Sequence, residues 1–208
     1  MFDTPAERLY PIVDADVCRD RGLEPRSLAL ACFHGGARVV QLRVKSGSSA
    51  RFLDLAAEIV AAAGTFGAAV IVNDRSDIAR MARAAGVHVG QDDLAPDAVR
   101  QVFGDGVIGL STHDPLQVDE ALRTAADYIA VGPVFGTATK DTGYSARGLE
   151  LVKRAAGRGK PVVAIGGITL DRAPEVIAAG AGSVAVITDL LSGGDPEPRV
   201  REYIRALL

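Results

Sequence analysis

The run VVQLRVK at residues 39–45 sets Gln41, Arg43 and Lys45 at every second position. In an extended strand that spacing puts all three side chains on one side. An amide and two cations converging on a cavity suit an anion. A planar guanidinium such as that of Arg43 forks onto phosphate oxygens, and Lys45 supplies a point charge. A strand emerging into solvent with a basic end is the plainer reading of the same residues. Two acidic stretches follow, IVNDRSD with Asn73 and Asp74, and VHVGQDDL with Asp92 and Asp93. Each could only cap a helix, and Ser76 competes for that role. Beside the basic run, however, Asp74 and Asp93, 19 residues apart, match Mg2+ held by one or two carboxylates and by substrate phosphates.

Hydroxyls and glycines make up the rest of the candidates. IGLSTHD offers Ser111 to a substrate, with Thr112 and His113 serving the turn. AIGGIT contains Gly166 and Gly167, and VAVIT ends at Thr188. Glycines there either turn the chain or let the backbone come close to a phosphate. PVFGTATK, residues 133–140, follows the apolar DYIAVG and brings Thr137, Thr139 and Lys140 into what is either a surface turn or an anion cradle. His88 lies within an apolar strand and reads as a satisfied core or lumen residue, not a catalyst; His34 has no supporting constellation. There is no His/Cys cluster at zinc-ligand spacing and no G-x-S-x-G nucleophile turn. Cys18 and Cys32 fit neither metal-ligand nor C-x-x-C spacing, so reduced thiols are expected.

Composition narrows the classes of partner. The 208 residues are 48% hydrophobic and only 5% aromatic, so the core must be built from Ala, Val, Ile and Leu, as in packed α/β layers. The net charge of −3 and the absence of a basic block argue against a sequence-independent grip on nucleic acid. No apolar run approaches the roughly 18 residues of a membrane span. MFDTPAERLY lacks the charged and apolar sections of a signal peptide. A cytoplasmic protein acting on small anionic molecules, away from membranes, is the expectation.

The elements that must position these residues alternate regularly. Strand candidates fall at 9–13, 38–43, 68–73, 87–90, 107–112, 128–134, 161–166 and 183–188. Helix candidates lie near 25–34, 49–63, 76–85, 96–103, 115–125, 146–157, 171–179 and 196–207. Asp114–Pro115 is an N-cap followed by proline at the first helical position. Ser49 precedes a helix whose Phe52, Leu55, Ala56, Ile59 and Val60 share one face. Apolar strands joined by helical crossovers imply a parallel sheet covered by helices. Eight such units predict one α/β domain over 1–208, a (β/α)8 TIM barrel. A doubly wound open sheet would carry a glycine-rich fingerprint after its first strand, and IVDADVCRDRG has none. In a barrel, function sits at the C-terminal strand ends, where the candidates above all fall. They then divide into two anionic subsites. One, on the second to fourth strands with Lys140, has cations and carboxylates; the other, on the sixth to eighth strands, has hydroxyls and glycine amides.

Taken together and in order, QLRVK, VNDRSDIA, GVHVGQDDL, IGLSTH, DYIAVGPVFGTATK and AIGGI closely resemble the thiamin phosphate synthase family over about residues 8–190. That family joins a hydroxymethylpyrimidine diphosphate to a thiazole phosphate on a (β/α)8 barrel with Mg2+, releasing pyrophosphate. The resemblance implies that Gln41, Arg43, Lys45, Asn73, Ser111 and Lys140 hold the pyrimidine diphosphate, with Arg43, Lys45, Ser111 and Lys140 closest to the chemistry. It implies that Asp74 and Asp93 bind Mg2+. It assigns the thiazole phosphate to Thr137 and Thr139 and to the backbone of Gly167, Ile187 and Thr188. Val44, Gly136 and Thr188 depart from residues frequent in the family, an acidic residue, proline and serine. Two other functions share part of the pattern. A sister group that isomerises the thiazole phosphate needs the monophosphate site but little of the diphosphate and metal set. A non-catalytic sensor of thiamin precursors would keep binding without turnover.

Overall fold

The computed structural model describes residues 7–136 and 144–208. Eight strands, β1 Leu9–Asp14, β2 Val39–Arg43, β3 Ala69–Asn73, β4 Gly86–Val89, β5 Val107–Thr112, β6 Tyr128–Val131, β7 Val162–Ile165 and β8 Ser183–Val186, are parallel and close into a barrel in chain order. Among the described residues the helices are α1 Ala15–Asp20, α2 Pro25–His34, α3 Ser49–Thr65, α4 Ser76–Met81, α5 Pro96–Phe103, α6 Pro115–Ala121, α7 Gly148–Ala155, α8 Ala173–Ala178 and α9 Pro196–Ala206. The closed sheet is the architecture expected from eight strand–helix units.

Two apolar layers follow from the period-two alternation of the strands. Tyr10, Ile12, Val39, Ile71, Tyr128, Ala130, Val163 and Ala185 fill the lumen. Their neighbours, such as Leu9, Val13, Val40 and Leu42, face outward into the layer beneath the helices. Gln41 and Arg43 share the side of Val39, so the polar spacing in VVQLRVK does turn into the lumen. α3 contributes Phe52, Ala56, Ile59 and Ala63 to the outer layer, with Leu55 and Val60 half-buried at its edges. Burial of each larger apolar side chain stabilises by about 1.5–3 kcal/mol.

Local signals account for most boundaries. Asp114 Oδ1 accepts from the Gln117 backbone N–H at 2.9 Å and caps α6, with Pro115 next in line. Ser48, not Ser49, caps α3, accepting from the Arg51 N–H at 3.3 Å. Neither Asn73, Asp74 nor Ser76 caps α4; the N-cap position belongs to Arg75, with no side-chain hydrogen bond. β6 ends at Val131, shorter than the apolar run suggests, just before the cis Gly132–Pro133 peptide. β8 stops at Val186, and Thr188–Leu191 forms a 3-10 turn instead of continuing the strand. No helix is long and apolar enough to cross a membrane among the described residues.

Candidate active site

The C-terminal ends of the strands open onto two adjoining cavities. Gln41, Arg43, Asn73, His88 and Ser111 line the first, together with apolar residues of the lumen. Gly166, Gly167, Ile187, Thr188 and His113 line the second, and Ser111, Ile165, Ala185 and Ile187 belong to both. Candidates from β2, β3 and β5 thus meet in one hollow, and those after β7 and β8 meet in the next. Lys45 and Asp74 line a neighbouring hollow at the β2 loop, and Asp93 lines another beside Gly90 and Gln91. Thr137, Thr139 and Lys140 lie outside the described residues.

The two β2 cations have carboxylate partners. Arg43 Nη1 donates to Asp14 Oδ2, a contact with side chains only 17% and 4% exposed. Asp14 also caps α1, its Oδ1 accepting from the Asp16 and Val17 N–H groups at 3.0 and 3.2 Å. One carboxylate therefore fixes both a helix start and a luminal guanidinium. Lys45 Nζ donates to Asp74 Oδ2 at 2.5 Å, where the lysine side chain is 44% exposed. Asp74 sits at φ 64°, left-handed backbone that residues with a Cβ seldom adopt, and its N–H donates to His88 O at 2.7 Å. Such strain concentrates where side chains are held for function. Asp93 Oδ2 accepts from the Gly90 N–H at 2.8 Å.

Buried polar groups link the walls of the first cavity. His88 is only 6% exposed, yet both ring nitrogens are bonded: Nδ1 lies 2.9 Å from Tyr128 Oη and Nε2 2.9 Å from Ser111 Oγ. Tyr128 and Tyr10 hydroxyls are 3.0 Å apart, and Gln41 Nε2 donates to Tyr10 at 3.1 Å. Burial pushes both phenols above their ordinary range, so both remain protonated near neutral pH.

Backbone shapes the second cavity. Gly166 at φ 104° and Gly167 at φ 61° bring the β7 loop against residues 133–136. A Cβ on Gly166 would stand 2.6 Å from Pro133 Cα, and one on Gly167 2.4 Å from Gly136 O. Only glycine fits at either place. Arg172 braces this loop, donating to Gly167 O at 3.1 Å and lying 4.8 Å over the Phe135 ring. Asp189 would repel an anion, but Arg199 Nη2 and the Tyr203 hydroxyl donate to its Oδ2 at 2.9 and 2.6 Å. That pairing ties the 3-10 turn to α9 and offsets the charge. His113 Nδ1 donates to Gly132 O at 2.7 Å, and the ring stacks on Tyr144 at 4.6 Å.

Sequence reasoning passed over Asp14, Tyr10, Tyr128 and Asp189. For Asp14 a signal existed: it follows Ile12 by two positions and so shares its luminal side. The tyrosines stood inside apolar runs, where an aromatic reads as core.

As a whole the arrangement sets a polar hollow carrying Arg43 against a glycine-lined one, the two sharing a wall of Ser111, Ile165, Ala185 and Ile187. A family model described as thiamine monophosphate synthase matches residues 9–190. A thiamine-phosphate synthase of Koribacter versatilis is 42% identical over 207 residues, covering 96% of this chain and 95% of the relative. One from Chloroflexus aurantiacus is 37% identical, with 97% and 92% covered. The solved thiamine phosphate pyrophosphorylase of Pyrococcus furiosus superposes with a TM-score of 0.88 at 27% identity, over 98% of this chain and 96% of that one. The chain belongs to the thiamine monophosphate synthase family.

Proposed function

We propose that the two cavities bind the two halves of thiamin phosphate and that the chain joins them. The activity is thiamin phosphate synthesis, and the chain is an enzyme. The observation that carries the residue-level reading is the meeting of Gln41, Arg43, Asn73 and Ser111 in one hollow that shares Ser111 and Ile187 with the glycine-lined hollow. In this reading Gln41, Asn73 and Ser111 hold the aminopyrimidine. Arg43, Lys45 and Lys140 hold its diphosphate. Thr137, Thr139, Gly167, Ile187 and Thr188 hold the thiazole phosphate.

The reaction breaks the bond from the pyrimidine methylene carbon to the diphosphate oxygen, and the electron pair leaves with pyrophosphate. The thiazole nitrogen then donates its lone pair to the methylene carbon, forming the new C–N bond. No protein nucleophile is needed. Arg43 and Lys45 stabilise charge growing on the leaving group, and fixed cations accomplish this without reorganising. The shared wall of Ser111, Ile165, Ala185 and Ile187 lets the two partners lie in contact, which supplies the entropic part of the acceleration. The apolar residues among them exclude water that would otherwise capture the cation.

Asp74 and Asp93 are the residues that would hold Mg2+. Both offer hard carboxylate oxygens, Asp74 in the hollow at the β2 loop and Asp93 in the one beside Gly90 and Gln91. Mg2+ typically takes one or two carboxylates and completes its shell with substrate phosphates and water. When bound, it would neutralise charge on the diphosphate. Lys45, now on Asp74, belongs to the same diphosphate site. The reading has the enzyme acting in the cytoplasm on small phosphorylated substrates, without nucleic acid or membrane.

The test mixes both phosphorylated substrates with the protein, with and without Mg2+, and measures pyrophosphate and thiamin phosphate. Metal-dependent release of both is expected. Asp74→Ala, Asp93→Ala and Lys140→Ala should each lose most of the turnover. Near-normal rates in all three would refute the residue assignment, and no turnover in the unaltered protein would refute the activity.

A further inference from the structure

The glycine-lined hollow has an acid in its wall. Asp189 lines it together with Gly166, Gly167 and Thr188. An uncompensated carboxylate there would oppose the entry of a phosphate, because like charges in one hollow repel over several ångströms without touching. Three donors from α9 converge on it. Arg199 Nε and Nη2 lie 3.2 and 2.9 Å from Asp189 Oδ2, and the Tyr203 hydroxyl lies 2.6 Å from the same oxygen. The Arg199 and Asp189 side chains are 23% and 15% exposed, and Tyr203 is buried. A pair this sheltered is screened far less by salt than one at the surface.

Arg199 also donates from Nη1 to Glu202 Oε2 at 3.0 Å, but the Glu202 side chain is 49% exposed and water solvates its charge. Asp189 has a backbone role besides. Its carbonyl accepts from the Ser192 N–H at 3.3 Å and from the Ser192 hydroxyl at 2.8 Å, which closes the 3-10 turn that starts at Thr188. The same residue thus shapes the turn and carries the charge that would repel its ligand.

We infer that Arg199 is a positioning residue for the phosphate of the second substrate. It holds Asp189 to α9 and cancels its charge, so the turn after β8 can wall the hollow without repelling an anion. The affinity of the hollow for phosphate then follows the net charge of the Asp189–Arg199 pair. The inference rests on the reading that the thiazole phosphate binds beside Gly167, Ile187 and Thr188.

The experiment measures KM for each substrate, with Mg2+ present, in the unaltered protein, Asp189→Asn, Arg199→Met and the double variant. Asp189→Asn keeps an acceptor for Arg199 and leaves the pair with one positive charge. KM for the thiazole phosphate should fall about fivefold, the effect of one unit charge about 8 Å away at an effective dielectric constant of about 40. Arg199→Met leaves one negative charge and should raise that KM by a similar factor. The double variant is neutral again and should bring KM back toward the unaltered value. If Arg199 instead touched the phosphate, the double variant would stay as weak as Arg199→Met, and the inference would be overturned. KM for the pyrimidine diphosphate should hold steady across the series, and added KCl should shrink the differences. Equal changes in both KM values would mark a merely structural role and overturn the inference. Damage to the fold does not tighten binding, so Asp189→Asn decides the matter even where Arg199→Met does not fold. An Asp189→Asn protein with unchanged KM for the thiazole phosphate overturns the inference, and Gly167→Ala then tells how far the failure reaches. If Gly167→Ala raises that KM, the substrate reading stands and only the inference falls; if it does not, both fall.

Discussion

Asp14 joins two jobs that substitution can separate. Asp14→Ala removes the cap of α1, worth about 1 kcal/mol, and strands Arg43 in a site where its side chain is 17% exposed. Breaking a pair this buried costs about 3–5 kcal/mol, because a charge is left without its partner. The sum for Asp14→Ala is about 5 kcal/mol. Asp14→Asn keeps the cap, since Asn and Asp serve equally there, and retains a carbonyl for Arg43 worth about 2 kcal/mol. Its expected loss is about 2 kcal/mol. Urea unfolding resolves this difference: with a slope near 2 kcal/mol per molar, the two variants should separate by about 1.5 M in midpoint. Steady-state assays of the same proteins should show a raised KM for the pyrimidine diphosphate, because Arg43 loses its orientation. Asp14→Asn combined with Arg43→Met removes both charges and should recover most of the stability while remaining poorly active. Losses below about 1 kcal/mol for both Asp14 variants would refute the reasoning.

Two further outcomes follow from the packing. A Cβ on Gly109 would stand 2.1 Å from Tyr128 Cζ and 2.5 Å from His88 Nδ1. Gly109→Ala should cost about 2–4 kcal/mol, overpacking plus a displaced hydrogen bond, and should lower activity; a variant with unchanged urea midpoint and turnover would contradict the packing beneath the cavity. Alkaline stability should fall in two stages. Burial pushes the Cys18 thiol up to about 11 and the Cys32 thiol up to about 12, and it raises Tyr10 and Tyr128 as well. Each group holds its proton more tightly folded than unfolded. Its contribution is thus complete below the unfolded value, about 8.5 for thiols and 10 for phenols, and declines as pH rises above it by about 1.4 kcal/mol per unit per group. Urea midpoints that do not move between about pH 8 and 11 would exclude this.

Much of the fold was legible because each layer repeats one local rule. Apolar runs such as AAVIVN and PVVAIG end at polar or glycine-rich turns, and helices such as α3 and α6 start at a capping Ser or Asp. The site was legible where a signal lay within a single run, as with Gln41 and Arg43, whose spacing alone sends both into the lumen. It was illegible where the cause lies in a partner far along the chain. Arg43 finds Asp14 from 29 residues away, and His88 finds Tyr128 from 40. Short elements escaped as well. The six residues of α1 are too few to show a helical period, and its cap, Asp14, reads equally well as the last residue of a strand. Past β8 the apolar Ile187 lets the strand pattern run on to Thr188, and the 3-10 turn there is anchored by Asp189 bonding to Arg199 and Tyr203 of α9.

Seven of the eight strand pairings join neighbours in sequence, and the eighth, β1 with β8, joins strands at opposite ends of the fold. Without this seam the barrel is not closed. Ser183 Oγ donates to Arg8 O across 175 residues at 3.0 Å, and Arg8 Nη1 donates to Leu207 O at 2.8 Å. Closing a loop of that length costs only about 1.6 kcal/mol more than closing one of 29 residues, the separation of Asp14 and Arg43. Those two fasteners, at about 1 kcal/mol each, offset the difference. Tyr10 reaches Tyr128 from β1, on the seam, so a barrel left open there lacks a finished lumen. Activity should therefore return during refolding only once β1 has paired with β8.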